Sequence, residues 1–200
     1  MRKIRLLTVT ALVSAGLLTA APASSAASAG TGTAAVSSTA STSCGVMWGS
    51  TPKTAQGAAD RPLTDVRTGR HACYDRMVLD IRPGSSADSP GYRVRYVDKL
   101  YQDGSGHPIT IGGGAILEIV ADAPSYDPET FEPTYPGRGG KPLPGVDLTG
   151  YKTFRDARFG ASYEGTTQLG LGVRARLPFR VTGLGDRLVV DVAHSWAAPR

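Results

Sequence analysis

Asparagine is absent from all 200 residues, lysine is outnumbered by arginine five to seventeen, and there are only two cysteines and three histidines. With so much alanine and glycine, the first two features resemble codon bias in a GC-rich genome and carry no function. The scarcity of cysteine and histidine does carry an exclusion, because a metal site needs several such ligands at short spacing. No Gly-x-x-x-x-Gly-Lys-Ser/Thr segment is present, so the glycine-rich run Gly104–Gly114 reads as a hairpin loop and not as a phosphate cradle. No nucleophile elbow and no paired-histidine motif occurs. No segment sustains a long, capped helical period. No cofactor is expected.

Long apolar runs are also missing. The longest, Leu6 to Leu18, is shorter than the ~20 residues a membrane span needs. It follows Arg2, Lys3 and Arg5 and leads into small residues, with cleavage plausible after Ala23, Ala26 or Ala29. Residues 1–26 are therefore expected to be an export signal, with a retained anchor as the alternative. No cysteine closes the run and no twin-arginine pair precedes it, so neither a lipid anchor nor an integral one is expected. The formal charge of +5 includes three cations of this segment and none of its acids, leaving +2 for the remainder. A basic balance of that origin gives no support to nucleic-acid binding.

Residues 27–43, rich in Ala, Ser and Thr, read as a flexible tether. Residues 44–197 are long enough for one core. In an exported chain Cys44 and Cys73 are most simply a disulfide, with a reactive thiol as the weaker reading.

Strand patterns occupy that region. Asp75-Arg-Met-Val-Leu-Asp-Ile81 and Asp186-Arg-Leu-Val-Val-Asp-Val192 repeat one period-two pattern, with Met77, Leu79 and Ile81 on one face and Leu188, Val190 and Val192 on its equivalent. Both are expected to be central strands facing one core. Further strands are expected at Tyr92–Val97, Ile109–Ile111, Ala115–Val120, Tyr151–Phe159, Thr167–Leu177 and Phe179–Val181, separated by Pro-Gly and Asp-Gly turns. The fold class is all-β, an antiparallel β-sandwich of about eight strands. Residues 121–150 hold six prolines and form one long loop.

Candidate binding residues fall into two sets. Arg93 and Arg95 alternate on one strand, and Arg174 and Arg176 continue the polar face of Gln168, Gly170 and Gly172. These four can meet carboxylates or phosphates of a wall polymer bidentately, or can be paired internally with acids such as Asp80 and Asp191. The glycines leave a smooth face that a polymer backbone can approach. Tyr126, Phe131 and Tyr135 can stack on sugar rings or can pin the proline-rich loop to the body. His71, His194, Asp75 and Glu164 would form an acid–base cluster if the repeated strands were neighbours; the alternative is histidines packed against Trp48 or Trp196.

His71-Ala-Cys73-Tyr-Asp-Arg76 and Pro90-Gly-Tyr-Arg-Val-Arg-Tyr-Val97 together resemble the AMIN-like domain of exported bacterial proteins. So do Tyr163-Glu-Gly165, Gly170-Leu-Gly172, Leu177-Pro-Phe-Arg-Val181 and Asp186-Arg-Leu-Val-Val-Asp-Val-Ala-His194. The resemblance implies a β-sandwich and a secreted, extracellular or wall-associated protein. It implies a non-catalytic module whose partner is peptidoglycan, an anionic wall polymer or another exported protein. The AMIN domain of wall amidases and secretins is similar but shorter, and no attached amidase domain is expected here. The amidase activity is not carried over, and a wall hydrolase is the remote alternative.

Overall fold

The computed structural model describes residues 44, 46–57, 61–83 and 89–197. The expected export signal and the whole of the expected tether, residues 27–43, lie outside these residues. No helix among them is long and apolar enough to cross a membrane.

Among the described residues eleven strands follow in chain order: β1 Lys53–Ala55, β2 Leu63–Arg70, β3 Tyr74–Ile81, β4 Tyr92–Val97, β5 Leu100–Tyr101 and β6 Pro108–Ile109, then β7 Ala115–Ala121, β8 Phe154–Tyr163, β9 Thr166–Val173, β10 Phe179–Gly183 and β11 Arg187–Ala193. A five-stranded sheet runs β1-β4-β7-β9-β8 and a four-stranded sheet runs β10-β11-β3-β2, all pairs antiparallel. The ribbon β5-β6 stands apart. The fold is all-β, as the period-two patterns require.

The two repeated segments are direct partners as well as equivalents. β11 pairs with β3 so that Val190 meets Met77 and Leu188 meets Leu79. All four are fully buried, and they share one core with Leu117, Ile119, Leu169 and Leu171 of the other sheet. Alternation puts one face of each strand into that core, which fixes the register.

Three strands are additional, and the bounds of β8 and β9 move. β2 is an additional strand: Leu63 and Val66 are its buried apolar positions, and a bulge between Leu63 and Asp65 breaks the alternation that would reveal it. β1 and β5 are too short to show a pattern. β8 starts at Phe154 and runs on to Tyr163, past the expected end at Phe159. β9 ends at Val173, so Arg174 and Arg176 lie beyond the strand; the Arg174 amide donates to Thr153 O instead.

The proline-rich stretch is ordered by capture. Gly140 and Leu143 donate backbone hydrogen bonds to Phe159 and Ala157 of β8, covering that sheet edge. Leu143, Ala123 and Tyr135 enter the core. Cys44 and Cys73 form a disulfide with Cα atoms 5.1 Å apart, tying the start of the domain to the residue before β3.

Candidate functional site

The expected acid–base cluster separates into three parts. Asp75 is fully buried at the inner end of β3, where it accepts hydrogen bonds from the Thr153 and Phe154 amides at the start of β8. His194 Nε2 lies 3.0 Å from Asp75 Oδ1, and its Nδ1 lies 3.2 Å from Ala72 O. Both ring nitrogens are thus engaged by the protein itself. Glu164 follows the far end of β8, about 30 Å of extended strand away from Asp75. His71 stacks on Tyr74 at 4.4 Å between ring centroids, and the Trp196 indole donates to Arg176 O. Among the described residues the ring contact of His71 is with Tyr74, and the polar contacts of the His194 ring are with Asp75 and Ala72.

The arginines also divide. Arg93 and Arg95 stand on the outer face of the five-stranded sheet, opposite Val120 and Glu118 of β7. Arg95 forms an ion pair with Glu118 at 2.8 Å, and Gln168 Nε2 donates to the other oxygen of that buried carboxylate at 2.9 Å. Arg174 donates to His194 O, and Arg176 lies over the Tyr96 ring. Only Arg93 of the four makes neither a hydrogen bond nor an ion pair among the described residues. On the four-stranded sheet the acids are paired internally, but not with these four: buried Asp191 is held by Arg76 at 2.7 Å and Arg180 at 2.8 Å, and Asp80 pairs with Arg67.

The glycine face is not open. A Cβ on Gly170 would strike Ile111 and Leu100, and one on Gly172 would strike Gly112. The β5-β6 ribbon lies over this stripe, and Gln168 ties it down by accepting from the Asp103 amide and donating to Tyr101 O. The smoothness serves the chain's own ribbon. From sequence alone, the residues that would cover those glycines were not visible.

The aromatic loop does two things. Tyr135 is a pin: it is buried, contacts Phe159, and donates from its hydroxyl to Pro144 O. Burial pushes its phenol far above the ordinary range. Tyr126 and Phe131 instead stack on each other at 6.1 Å with planes 22° apart, and Phe131 is 74% exposed. Phe131 has φ +60°, a region that costs a non-glycine residue ~1–2 kcal/mol. A tight turn imposes it. The Phe131 amide donates to Asp127 O, the Asp127 carboxylate accepts from the Glu129 and Thr130 amides, and Arg82 holds that carboxylate at 2.6 Å. The Arg82 guanidinium, with those two amides, keeps the Asp127 carboxyl below its usual range.

A cleft of about 550 Å3 opens beside Arg93. Val120 is among its apolar surfaces, with Arg93, Asp122, Asp103, Tyr163 and Glu164 around it. The Tyr163 ring lies beside Gly104, where an added Cβ would come into contact with it. Burial raises the Asp122 carboxyl above its usual value, with Arg93 opposing the rise. Glu164 carries φ +47° at the β8–β9 turn, and it and Phe131 are the two non-glycine residues with positive φ among those described. Asp103, Asp122 and Tyr163 were missed in the sequence, since they are distant along the chain and only the sheet order brings them together. No group of three His, Cys, Asp or Glu side chains close enough to hold a metal ion occurs among the described residues.

With this geometry in hand, comparison with known proteins gives one match. The AMIN-like domain family matches residues 61–194, from just before β2 to the end of β11. No curated protein matches, and no solved structure matches. The match covers more than half of the chain, including both repeated strands, Asp75, the aromatic turn and the cleft apart from its Thr54–Gln56 wall; the chain belongs to the AMIN-like domain family.

Proposed function

We propose that this protein is a secreted, non-catalytic module that binds the bacterial cell wall, with peptidoglycan as its ligand. Family membership and the disulfide support an extracellular or envelope location. The observation that carries the binding reading is the Tyr126–Phe131 pair. An exposed phenyl ring held outward on a strained backbone, stacked on a second ring, offers a flat apolar face of the kind on which a sugar ring stacks. Strain of this kind persists only where surrounding structure enforces it, and Asp127 with Arg82 supplies that enforcement. The engaged nitrogens of His194 favour a structural role for its pair with Asp75.

The test is co-sedimentation of the mature protein with purified peptidoglycan, with and without its attached anionic polymer. Binding that survives removal of the polymer and falls at least tenfold in a Tyr126→Ala, Phe131→Ala variant is the expected result. No enrichment over an unrelated protein of equal charge refutes wall binding. Retention by the polymer alone moves the ligand to the anion and the site to the arginines.

A further inference from the structure

We infer that the cleft between Arg93 and Asp122 is a second binding site, for an amino-acid group that carries a free primary ammonium beside a carboxylate. The inference rests on the wall-binding reading for the source of that group, the diamino acid of a wall peptide. The site itself is argued from the cleft.

Its charge pattern comes first. Arg93 of β4 stands on the outer face opposite Val120, and Asp122 follows two residues after Val120, just past the end of β7, where its amide donates to Gly91 O; the two charges are thus diagonal neighbours. No hydrogen bond or ion pair joins them, and Arg93 makes none elsewhere among the described residues. The cleft thus presents one open cation and, nearby, one open and partly desolvated anion. Asp103 and Glu164 bring the carboxylates around it to three against a single guanidinium. A polyphosphate would meet net repulsion there, and a simple amine would leave Arg93 unused. A zwitterionic group answers both charges: its carboxylate meets the planar fork of Arg93, and its ammonium meets Asp122.

Size and position agree. A cavity of about 550 Å3 lies within the ~300–1,000 Å3 typical of small-ligand sites, large enough for one or two amino-acid residues. The carboxylates are too dispersed to share one metal ion, which suits a ligand with several separated donors. The cleft and a groove beside Tyr126 are lined by consecutive residues of β8. Tyr163 lines the cleft, while Ser162 lines the groove with Tyr126 and Pro133. A glycan on the rings and its peptide in the cleft would therefore be read on the two sides of one strand end.

The experiment is calorimetric titration of the whole mature protein with meso-diaminopimelic acid, its diacetyl derivative, its diamide and a tripeptide ending in the free diamino acid. Expected is measurable binding of the free acid, at least tenfold weaker for the acetylated and the amidated compounds. The tripeptide should bind at least as tightly as the free acid. Arg93→Ser should erase the penalty for amidation and Asp122→Asn the penalty for acetylation. Should Asp122→Asn fold poorly against Gly91, Glu164→Gln on the exposed turn provides the second arm, with a smaller loss of ammonium-dependent binding. Equal affinity for free and blocked compounds overturns the inference, as does free acid bound without the tripeptide. If the protein pellets with peptidoglycan and binds no probe, the cleft assignment alone fails. If it binds the probes but does not pellet, the wall reading fails and the cleft stands.

Discussion

Leu79 and Leu188 stand directly opposite one another in β3 and β11, both with no exposed surface, although more than a hundred residues separate them in the chain. The pairing turns a sequence repeat into the centre of the four-stranded sheet.

Leu79→Ala should destabilise the domain by ~2–5 kcal/mol, the transfer term plus the cavity left among residues that cannot collapse. Val190→Ala should cost less, since it removes fewer methyl groups. Because Val190 faces Met77, two residues along from Leu79, the double variant should depart from additivity. Urea unfolding of the three variants measures this, and a loss under 1 kcal/mol for Leu79→Ala contradicts the packing.

Unfolded, unreduced mature protein should contain no reactive thiol in an Ellman assay, because Cys44 and Cys73 are bonded. Reduction should lower stability by about 3–4 kcal/mol in the chain-entropy treatment of a loop with a separation of 29 residues.

Phe131→Gly should separate stability from binding. It releases the positive-φ penalty of ~1–2 kcal/mol, partly offset by the ~0.5–1 kcal/mol of extra chain entropy that glycine loses. The variant should be as stable as the parent or up to about 1.5 kcal/mol more stable, yet retained less on peptidoglycan. A variant that unfolds more easily shows that the ring was a packing residue.

Arg93 and Arg95, two residues apart on one face, should respond differently to serine. Arg95→Ser leaves Glu118 buried with Gln168 as its remaining side-chain donor and should cost about 1–2 kcal/mol, a figure reduced by the half-exposed guanidinium. Arg93→Ser should leave unfolding unchanged within ~0.5 kcal/mol. Chemical denaturation distinguishes them. Replacing all four candidate arginines at once would therefore mix binding with stability.

Acid should loosen the aromatic turn. The Asp127 carboxyl is held below its unfolded value, so its contribution is present above roughly pH 4 and is lost as pH falls through the lower, folded value. The Glu129 and Thr130 amide shifts should stay constant from pH 7 to pH 5 and move only below about pH 4. Arg82→Ser should bring that change to higher pH, and an unaltered profile would show that the ion pair does not hold the turn.

Much of the sheet was readable because alternation is a local property. Met77, Leu79 and Ile81 declare a buried face, and so do Leu188, Val190 and Val192; a one-residue slip would drive Asp80 toward the core at a cost of several kcal/mol. β2 was not readable, because its bulge after Leu63 breaks the alternation that a strand normally shows. Gly170 and Gly172 showed a narrow, flat face, and nothing local could say that Leu100 and Ile111 fill it.

The sequence by itself determined the fold class, the family, the cysteine pair and the inward set of each long strand, since each follows from residue type and spacing along a few neighbours. The tertiary structure alone decided which polar groups are spoken for. Strand order put Arg95 against Glu118 and left Arg93 open beside Asp122. It buried Tyr135 while the turn at Asp127 turned Phe131 outward. It also brought His194 to Asp75 from the opposite end of the domain. A side chain's availability for a ligand depends on the partners that distant segments bring to it, and those distances are set only when the two sheets close on their common core.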